Sequence, residues 1–285
     1  MKVTQAPIFT ALIRMCDDAR KEGWHECHGG NLSYRLSADD AAAVSEELTP
    51  AGGWQPIGLS VPGLAGEILL VTAAGQLFRS TAREPERSLG ILEISEDGAC
   101  YRVLWGYWDR GRPTSELPAH LANHEVIKRR SGGRLRLVYH AHPENLIALS
   151  FVLPLDETVF TRELWEMMPE CAMIFPAGIG VVPWMVPGTP EIAAMTMEKV
   201  EEYDIVLWAQ HGVFAVGESP DACFGLVETA EKAAAILLKV LSCVSRKRQA
   251  PSAQDLRDMA AVFRLPLKEK FLYDRLPPDE PHRSA

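Results

Sequence analysis

The sequence lacks an excess of positive charge. Its 285 residues include 29 Lys plus Arg against 38 Asp plus Glu, which gives a formal net charge of −9. Binding to a long polyanion or to an anionic membrane needs a dominant cationic field. We therefore expect neither a nucleic acid nor a membrane as a partner. Apolar residues make up 47% and charged residues 24% of the chain, which is typical of a globular protein.

Closely spaced cysteines and long apolar runs are also missing. The six cysteines contain no C-x-x-C pair, so we expect reduced thiols rather than a disulfide framework. No run approaches the roughly 18 to 20 apolar residues of a membrane span, and the first residues contain no apolar block of signal-peptide length. These absences, and the lack of a repeat or linker, predict a soluble cytoplasmic protein with a single domain over residues 1–285, of which residues 276–285 form a frayed tail.

Helical and strand periodicities alternate along the whole chain, which favours a layered α/β domain. The spacing predicts helices over residues 4–21, 116–127, 143–152, 161–168, 189–202 and 219–246, and strands over residues 29–36, 67–72, 101–108, 134–142, 171–175, 179–184 and 204–216. Residues 51–66 are rich in Gly and Pro and predict a surface loop. The segment after Lys247 includes an apolar pattern from Leu256 to Leu265, to which no role is assigned.

Three histidines form the first candidate site. His140 and His142 lie at the end of a predicted strand, where a period of two places both imidazoles on one face. His211 follows another apolar strand, and the three imidazoles would meet if the two strands are neighbours. Three protein ligands and an open position are the pattern of a catalytic zinc. The alternative, a pair of strand histidines on a solvated face, is equally compatible with the spacing.

A second histidine pair lies on the predicted helix that follows Ser115. His120 and His124 are four residues apart, which is another common geometry for metal ligands. Because Leu117 and Leu121 surround them, we favour a role in helix packing.

Glu116 at the start of this helix has two interpretations. It complements the helix dipole, or it acts as a general base beside a metal that acidifies a carbon-bound proton. Turns at Gly29-Gly30-Asn31 and Thr72-Ala-Ala-Gly75, together with Thr114 and Ser115, offer backbone N–H groups and hydroxyls to an anion.

Four motifs in fixed order then indicate a known family. They are Gly29-Gly-Asn-Leu32, Thr114-Ser-Glu-Leu-Pro-Ala-His120, His140-Ala-His-Pro-Glu-Asn-Leu-Ile-Ala-Leu149 and Gln210-His-Gly212. The chain thereby resembles the class II aldolase (aldolase/adducin-like) family. Longer matches over residues 159–165, 170–171 and 182–188 extend the resemblance over nearly the whole chain, to about Val244.

The resemblance implies a fold and an activity. The fold would be a single three-layer α/β/α domain with a largely antiparallel central sheet, in a homotetramer with active sites at subunit interfaces. The activity would be zinc-dependent retro-aldol cleavage of a small phosphorylated ketose, L-rhamnulose 1-phosphate, to dihydroxyacetone phosphate and L-lactaldehyde in L-rhamnose catabolism. Two alternatives remain: an aldolase, epimerase or dehydratase for a different sugar phosphate, and a non-catalytic adducin-like interaction module.

The resemblance also implies roles for particular residues. His140, His142 and His211 match zinc ligands, with one Zn²⁺ per subunit. Glu116 matches the acid/base carboxylate, and Glu170 matches an acidic residue contributed from a neighbouring subunit. The positions that match phosphate-binding residues are Gly30, Asn31, Gly75, Thr114 and Ser115.

One position departs from the family pattern. The family places a serine flanked by glycines where this chain has Ala73-Ala74 before Gly75. Ala74 therefore lacks a hydroxyl expected to contact the phosphate. A hydrogen bond to a charged group contributes about 1.5 to 3 kcal/mol, so we expect weaker binding of the phosphorylated substrate.

Overall fold

The computed structural model describes residues 1–245 and 247–273, and the tail expected over residues 276–285 lies outside them. The helices in the described residues are α1 (Pro7–Lys21), α2 (Ala38–Val44), α3 (Pro85–Ser88), α4 (Leu117–Ser131), α5 (Glu144–Leu149), α6 (Glu157–Trp165), α7 (Pro169–Ile174), α8 (Pro190–Val200), α9 (Pro220–Cys243) and α10 (Ala253–Phe263). The strands are β1 (Asn31–Arg35), β2 (Gln55–Pro56), β3 (Ile68–Thr72), β4 (Leu89–Ile94), β5 (Cys100–Gly106), β6 (Leu137–Ala141), β7 (Gly180–Val182), β8 (Ile205–Trp208) and β9 (Gly212–Gly217).

All of these strands belong to one sheet, in the order β2-β5-β4-β3-β1-β6-β9-β8-β7. Neighbouring strands are antiparallel, apart from the parallel pair β7 and β8. This arrangement confirms the largely antiparallel sheet expected from the resemblance. In the middle of the sheet, β1 and β9 lie on either side of β6, so that the ends of these three strands are close together.

Helices cover both faces of the sheet and make three layers. α4 and α8 pack together over β1, β6, β7 and β8, whereas α1 and α5 pack with α9, which covers β6 and β9. Successive side chains of a strand point to opposite faces. On β1, Ser33 therefore faces α4, where it contacts His120 and His124, while its neighbour Leu32 faces away from α4 into the core.

One hydrophobic cluster connects the two ends of the described chain. It extends from Val3, which is 1% exposed, to Leu272, which is 5% exposed, and includes the central strands and α9. All six cysteines carry free thiols, as the sequence predicts. Within residues 1–245 and 247–273, no helix is both long enough and apolar enough to cross a membrane.

The prediction of a strand over residues 171–175 is wrong, because residues 171–174 lie in α7. In a short apolar run, periodicity does not distinguish a strand from a buried helix. Pro169 occupies the start of the helix and Glu170 its first turn, which are both favourable helix-start positions. Cys171 and Ala172 then become buried on the inner side of the helix.

The segment after Lys247 is attached to α6 through buried charges. Arg162, only 1% exposed, donates from Nε to Glu166 Oε1 over 2.7 Å. Its other nitrogens donate to the carbonyl oxygens of Pro251, Phe271 and Tyr273 at 3.0 to 3.3 Å. Lys247 Nζ lies 2.6 Å from Glu163 and also contacts Glu166. These contacts hold both ends of the segment that contains α10.

Candidate active site

Three histidines from two neighbouring strand ends meet at one point. His140 lies in β6, His142 immediately after it, and His211 in the turn between β8 and β9. One ring nitrogen of each lies within 4.8 Å of the others, and the Nε2 atoms of His140 and His142 are 3.2 Å apart. The structure therefore brings together the three residues that the sequence singled out.

The hydrogen bonds made by one ring nitrogen of a histidine determine which nitrogen is left to bind a metal. His140 Nδ1 donates to the carbonyl oxygen of Val213 over 2.9 Å, and His142 Nδ1 donates to Glu26 Oε1 over 2.7 Å. In both histidines Nε2 is therefore the nitrogen that faces the centre of the cluster and is left to bind a metal. Such outer partners orient metal-bound imidazoles, and in the described chain the buried Nδ1 of His211 has no hydrogen-bond partner.

Burial favours the neutral imidazole at His140 and His211. Burial lowers the pKa of His140 well below its usual range, and the neighbouring His142 lowers it further. Burial, with a contribution from His142, lowers the pKa of His211 to about 4. Neutral imidazole is the form that binds metal. Two nitrogens on one tetrahedral zinc are about 3.3 Å apart, given bonds of about 2.0–2.1 Å, so the measured separation fits a zinc ion.

The histidine cluster forms one wall of a cavity of about 300 Å³. The remaining wall includes all five residues expected at the phosphate, namely Gly30, Asn31, Gly75, Thr114 and Ser115, together with Glu116. Of the described residues that line the cavity, none is Lys or Arg. An anion bound here would depend on neutral donors and on the metal for its stabilisation.

Two glycines are required where the backbone approaches the site. Gly30 has φ +74°, and a Cβ there would lie 2.3 Å from the His25 ring and 2.7 Å from the His140 carbonyl oxygen. A Cβ on Gly212 would lie 2.3 Å from the Ala141 carbonyl oxygen. Both glycines therefore allow the loop before β1 and the start of β9 to pack against the end of β6.

Glu116 lies at the N-terminal boundary of α4 and faces this cavity. It accepts a hydrogen bond from Asn31 Nδ2 to Oε2 over 2.8 Å, and its backbone N–H donates to Thr114 Oγ1. Glu116 is thus held within the same cavity as the imidazoles by a residue of β1. This placement is what a proton-transfer role needs.

The sequence comparison agrees with these features. The family described as Class II Aldolase and Adducin N-terminal domain matches residues 10–238. The chain belongs to this family. Family membership confirms the resemblance carried by the four motifs, and class II aldolases depend on a metal ion, for which the histidine cluster of this family member is suited.

Several relatives and solved structures are similar over most of the chain. The rhamnulose-1-phosphate aldolase of Mannheimia succiniciproducens is 43% identical over 252 residues, which cover 88% of this chain and 92% of that protein. The rhamnulose-1-phosphate aldolase of Escherichia coli O157:H7 is 42% identical over 246 residues, with coverages of 86% and 90%. The crystal structure of a sugar-phosphate aldolase from Thermotoga maritima superposes with a TM-score of 0.71 at 32% identity, covering 83% and 95% of the two chains.

Glu170 is the one predicted site residue that lies apart from the others. It is exposed in the first turn of α7 and does not line the cavity of its own chain. An exposed position is compatible with a contribution to the cavity of a neighbouring subunit.

Two residues near the site carry no sequence signal. Glu26 contacts His142 across a sequence separation of 116 residues. His25 is stacked on Phe78, and its ring nitrogens contact the Gly29 carbonyl oxygen and the Tyr139 hydroxyl. The motif Gly29-Gly30-Asn31 indicates this loop, but nothing in the sequence indicates that His25 supports it.

Proposed function

We propose that this chain is a zinc-dependent rhamnulose-1-phosphate aldolase, which cleaves L-rhamnulose 1-phosphate to dihydroxyacetone phosphate and L-lactaldehyde in L-rhamnose catabolism. The observation that carries the proposal is one cavity in which three imidazoles, a carboxylate and neutral anion donors converge. The relatives with that name, 42–43% identical over most of their length, support the choice of substrate.

In this proposal the phosphate lies against the neutral donors of the cavity. The Thr114 and Ser115 hydroxyls and the Asn31 amide offer hydrogen bonds, while Gly30 and Gly75 allow the backbone to approach the ligand closely. His140, His142 and His211 would hold one zinc ion per subunit. When bound, the zinc ion supplies Lewis-acid stabilisation of the negative charge that develops on the ketose oxygens.

Glu116 carries the proton chemistry at C3. Cleavage of the C3–C4 bond leaves its electron pair on C3, delocalised as an enediolate, while the C4 hydroxyl loses its proton as the aldehyde forms. Glu116 as a carboxylic acid delivers a proton to C3 to complete dihydroxyacetone phosphate, and as a carboxylate it removes that proton in the condensation direction. No Schiff-base lysine is required.

Glu170 and the assembly complete the proposal. Glu170 from a neighbouring subunit would assist the departure of the C4 hydroxyl proton, which requires a second subunit beside each active site. The assembly that we propose is a homotetramer with active sites at its interfaces. The exposure of Glu170 and its position outside its own cavity support this arrangement. We also infer that the chain is a single domain, since all of its described strands belong to one sheet and a hydrophobic cluster extends from Val3 to Leu272.

The first experiment assays a panel of ketose 1-phosphates for release of dihydroxyacetone phosphate. L-rhamnulose 1-phosphate is expected to be the best substrate. Glu116→Gln should retain zinc but lower kcat by about 10²- to 10⁴-fold, because the amide cannot transfer the proton. Cleavage by Glu116→Gln at the parental rate would refute the assignment of the acid/base group. Absence of cleavage of every ketose 1-phosphate by the zinc-loaded parental protein would refute the function itself.

A further inference from the structure

A line of buried polar side chains extends from Glu116 into the interior between β1 and α4. It consists of Asn31, His120, Ser33 and His124, and we call it the buried polar chain. Asn31 Oδ1 contacts His120 Nε2. Ser33 Oγ lies 2.6 Å from His120 Nδ1 and 2.8 Å from His124 Nε2. Three of these four residues have no exposed surface, and Asn31 is 8% exposed.

The direction of each hydrogen bond follows from Glu116. A carboxylate only accepts, so the NH₂ group of Asn31 faces Glu116 and its carbonyl oxygen faces His120. His120 Nε2 must therefore carry the proton, and its Nδ1 accepts from the Ser33 hydroxyl. Ser33 Oγ in turn accepts a proton from His124 Nε2.

Both histidines are neutral, which this pattern requires. Burial lowers the pKa of His120 to about 3. Burial also lowers the pKa of His124 well below its usual range, with further contributions from His120 and Arg35. A neutral imidazole has one donor and one acceptor. A histidine ring that donates a hydrogen bond on one side can therefore only accept on the other.

The far end of the buried polar chain favours this direction over the reverse. In the described structure, the buried His124 Nδ1 has no hydrogen-bond partner. In the direction described above, this atom is an unprotonated lone pair. Reversal of the buried polar chain would place a proton on it, leaving a buried N–H without an acceptor, a costly state. Reversal would also turn the Asn31 carbonyl oxygen toward the Glu116 carboxylate.

We propose that the buried polar chain is a positioning device, in which His120, Ser33 and His124 fix the Asn31 amide so that it donates to Glu116 and holds this carboxylate in its reactive orientation. The inference rests on the proposed function, since it takes Glu116 to be the acid/base group. None of the three deeper residues touches the substrate in this account. Their effect passes through Asn31.

Two substitutions of His120 separate hydrogen bonding from packing. The side-chain nitrogen of glutamine reaches the place of a histidine Nε2, whereas that of asparagine reaches only the place of Nδ1. His120→Gln can therefore still donate to Asn31, and His120→Asn cannot. We expect His120→Asn to lower kcat by about tenfold to hundredfold, the effect of a misplaced catalytic group, while His120→Gln stays within about threefold of the parental kcat. Zinc content should be unchanged in both.

A smaller change tests the same inference if the His120 variants do not fold. Ser33→Ala removes only the hydroxyl that directs His120, and it should lower kcat. Thr161→Val is the matched control, because Thr161 is equally buried and its hydroxyl accepts from Ile179 N, away from the buried polar chain. This control should keep the parental kcat.

The outcomes distinguish this inference from the proposed function. An active parental enzyme with an inactive Glu116→Gln variant, but with parental kcat in Ser33→Ala and His120→Asn, overturns the inference and leaves the function intact. Equal losses of kcat in His120→Gln and His120→Asn overturn it as well, because the donor at Nε2 would then have no specific effect. A parental protein without aldolase activity overturns both.

Discussion

Ala74 provides no side-chain donor at a point where the cavity wall turns. Its backbone N–H donates to the Arg112 carbonyl oxygen over 2.9 Å, and its side chain is a single methyl group beside Gly75 in the cavity lining. The adjacent Ser88, also in the lining, is 2% exposed, and its hydroxyl has no hydrogen-bond partner in the described structure. At position 74 the cavity wall therefore lacks the side-chain donor that the resemblance implies.

Ala74→Ser should restore the missing donor. A hydrogen bond to a charged phosphate contributes about 1.5 to 3 kcal/mol, so we expect KM for the phosphorylated ketose to fall by roughly tenfold or more, with kcat little changed. Steady-state kinetics of parental and variant enzymes check this, with Ala74→Gly as the control that adds no hydroxyl. An unchanged KM in Ala74→Ser would mean that the phosphate does not contact this position.

Some residues of the candidate site are visible in the sequence because their signal is local. His140 and His142 are two residues apart on a strand, and Glu116 begins a helix directly after two hydroxyl residues. The contact between Glu26 and His142 is not local, since it depends on how the loop before β1 packs against the end of β6. The sequence favours a packing role for His120 and His124, whereas the structure shows both buried rings hydrogen-bonded to Ser33. The contact between His120 and Asn31 could not be predicted from the sequence, because it depends on the register of β1 in the sheet.

At the scale of elements, α4 places two ionisable side chains, His120 and His124, in the protein interior. The unfolded chain binds protons at His120 and His124 as the pH falls below about 6.5. The folded protein does not, because burial lowers the pKa of His120 to about 3 and that of His124 well below its usual range. The unfolded state thus binds more protons below pH 6.5, and the free energy of unfolding decreases as the pH falls.

We expect each buried histidine of α4 to contribute a slope of about 1.4 kcal/mol per pH unit between about pH 6 and pH 4.5. His124→Gln removes one such group, so its unfolding free energy should depend less steeply on pH by this amount. Urea unfolding of both proteins at several pH values measures the difference. Parallel pH dependences would contradict the lowered pKa of His124.

The attachment of the C-terminal segment to α6 gives a second prediction at this scale. Arg162→Leu removes the ion pair with Glu166 and the hydrogen bonds to three carbonyl groups of the segment. Breaking a buried ion pair costs about 3 to 5 kcal/mol, and urea unfolding should show a loss of this size. Arg129→Leu is the control, because Arg129 pairs with Glu201 on the exposed surface. Equal stability of the two variants would contradict the structural role of Arg162.

Elements with a clear period are predictable from the sequence, and those without one are not. The amphipathic pattern of α1 and the alternation of β6 correspond to helix Pro7–Lys21 and strand Leu137–Ala141. β4 has apolar residues on both faces because layers cover it, so its sequence does not alternate. The short α7 has too few residues for a helical period, and its apolar run indicated a strand instead.

At the scale of the whole molecule, the metal should stabilise the folded protein. A ligand that binds only the folded state raises its stability by mass action, and the three imidazoles converge only when β6, β8 and β9 are paired. We expect about one zinc per chain, a lower Tm and loss of aldolase activity after chelation, and recovery of both on adding zinc. His140→Ala should contain no zinc. A zinc content and Tm unaffected by His140→Ala would place the metal elsewhere.

The residues that line the cavity lie far apart in the sequence, from Asn31 through Glu116 to His211. During synthesis, the third imidazole follows His142 by 69 residues, which at about 5 to 20 residues per second is a delay of roughly 3 to 14 s. Throughout that interval the nascent chain has only two of the three imidazoles and cannot form a three-nitrogen site. Binding of a metal ion by all three imidazoles consequently has to follow the synthesis and pairing of the central strands.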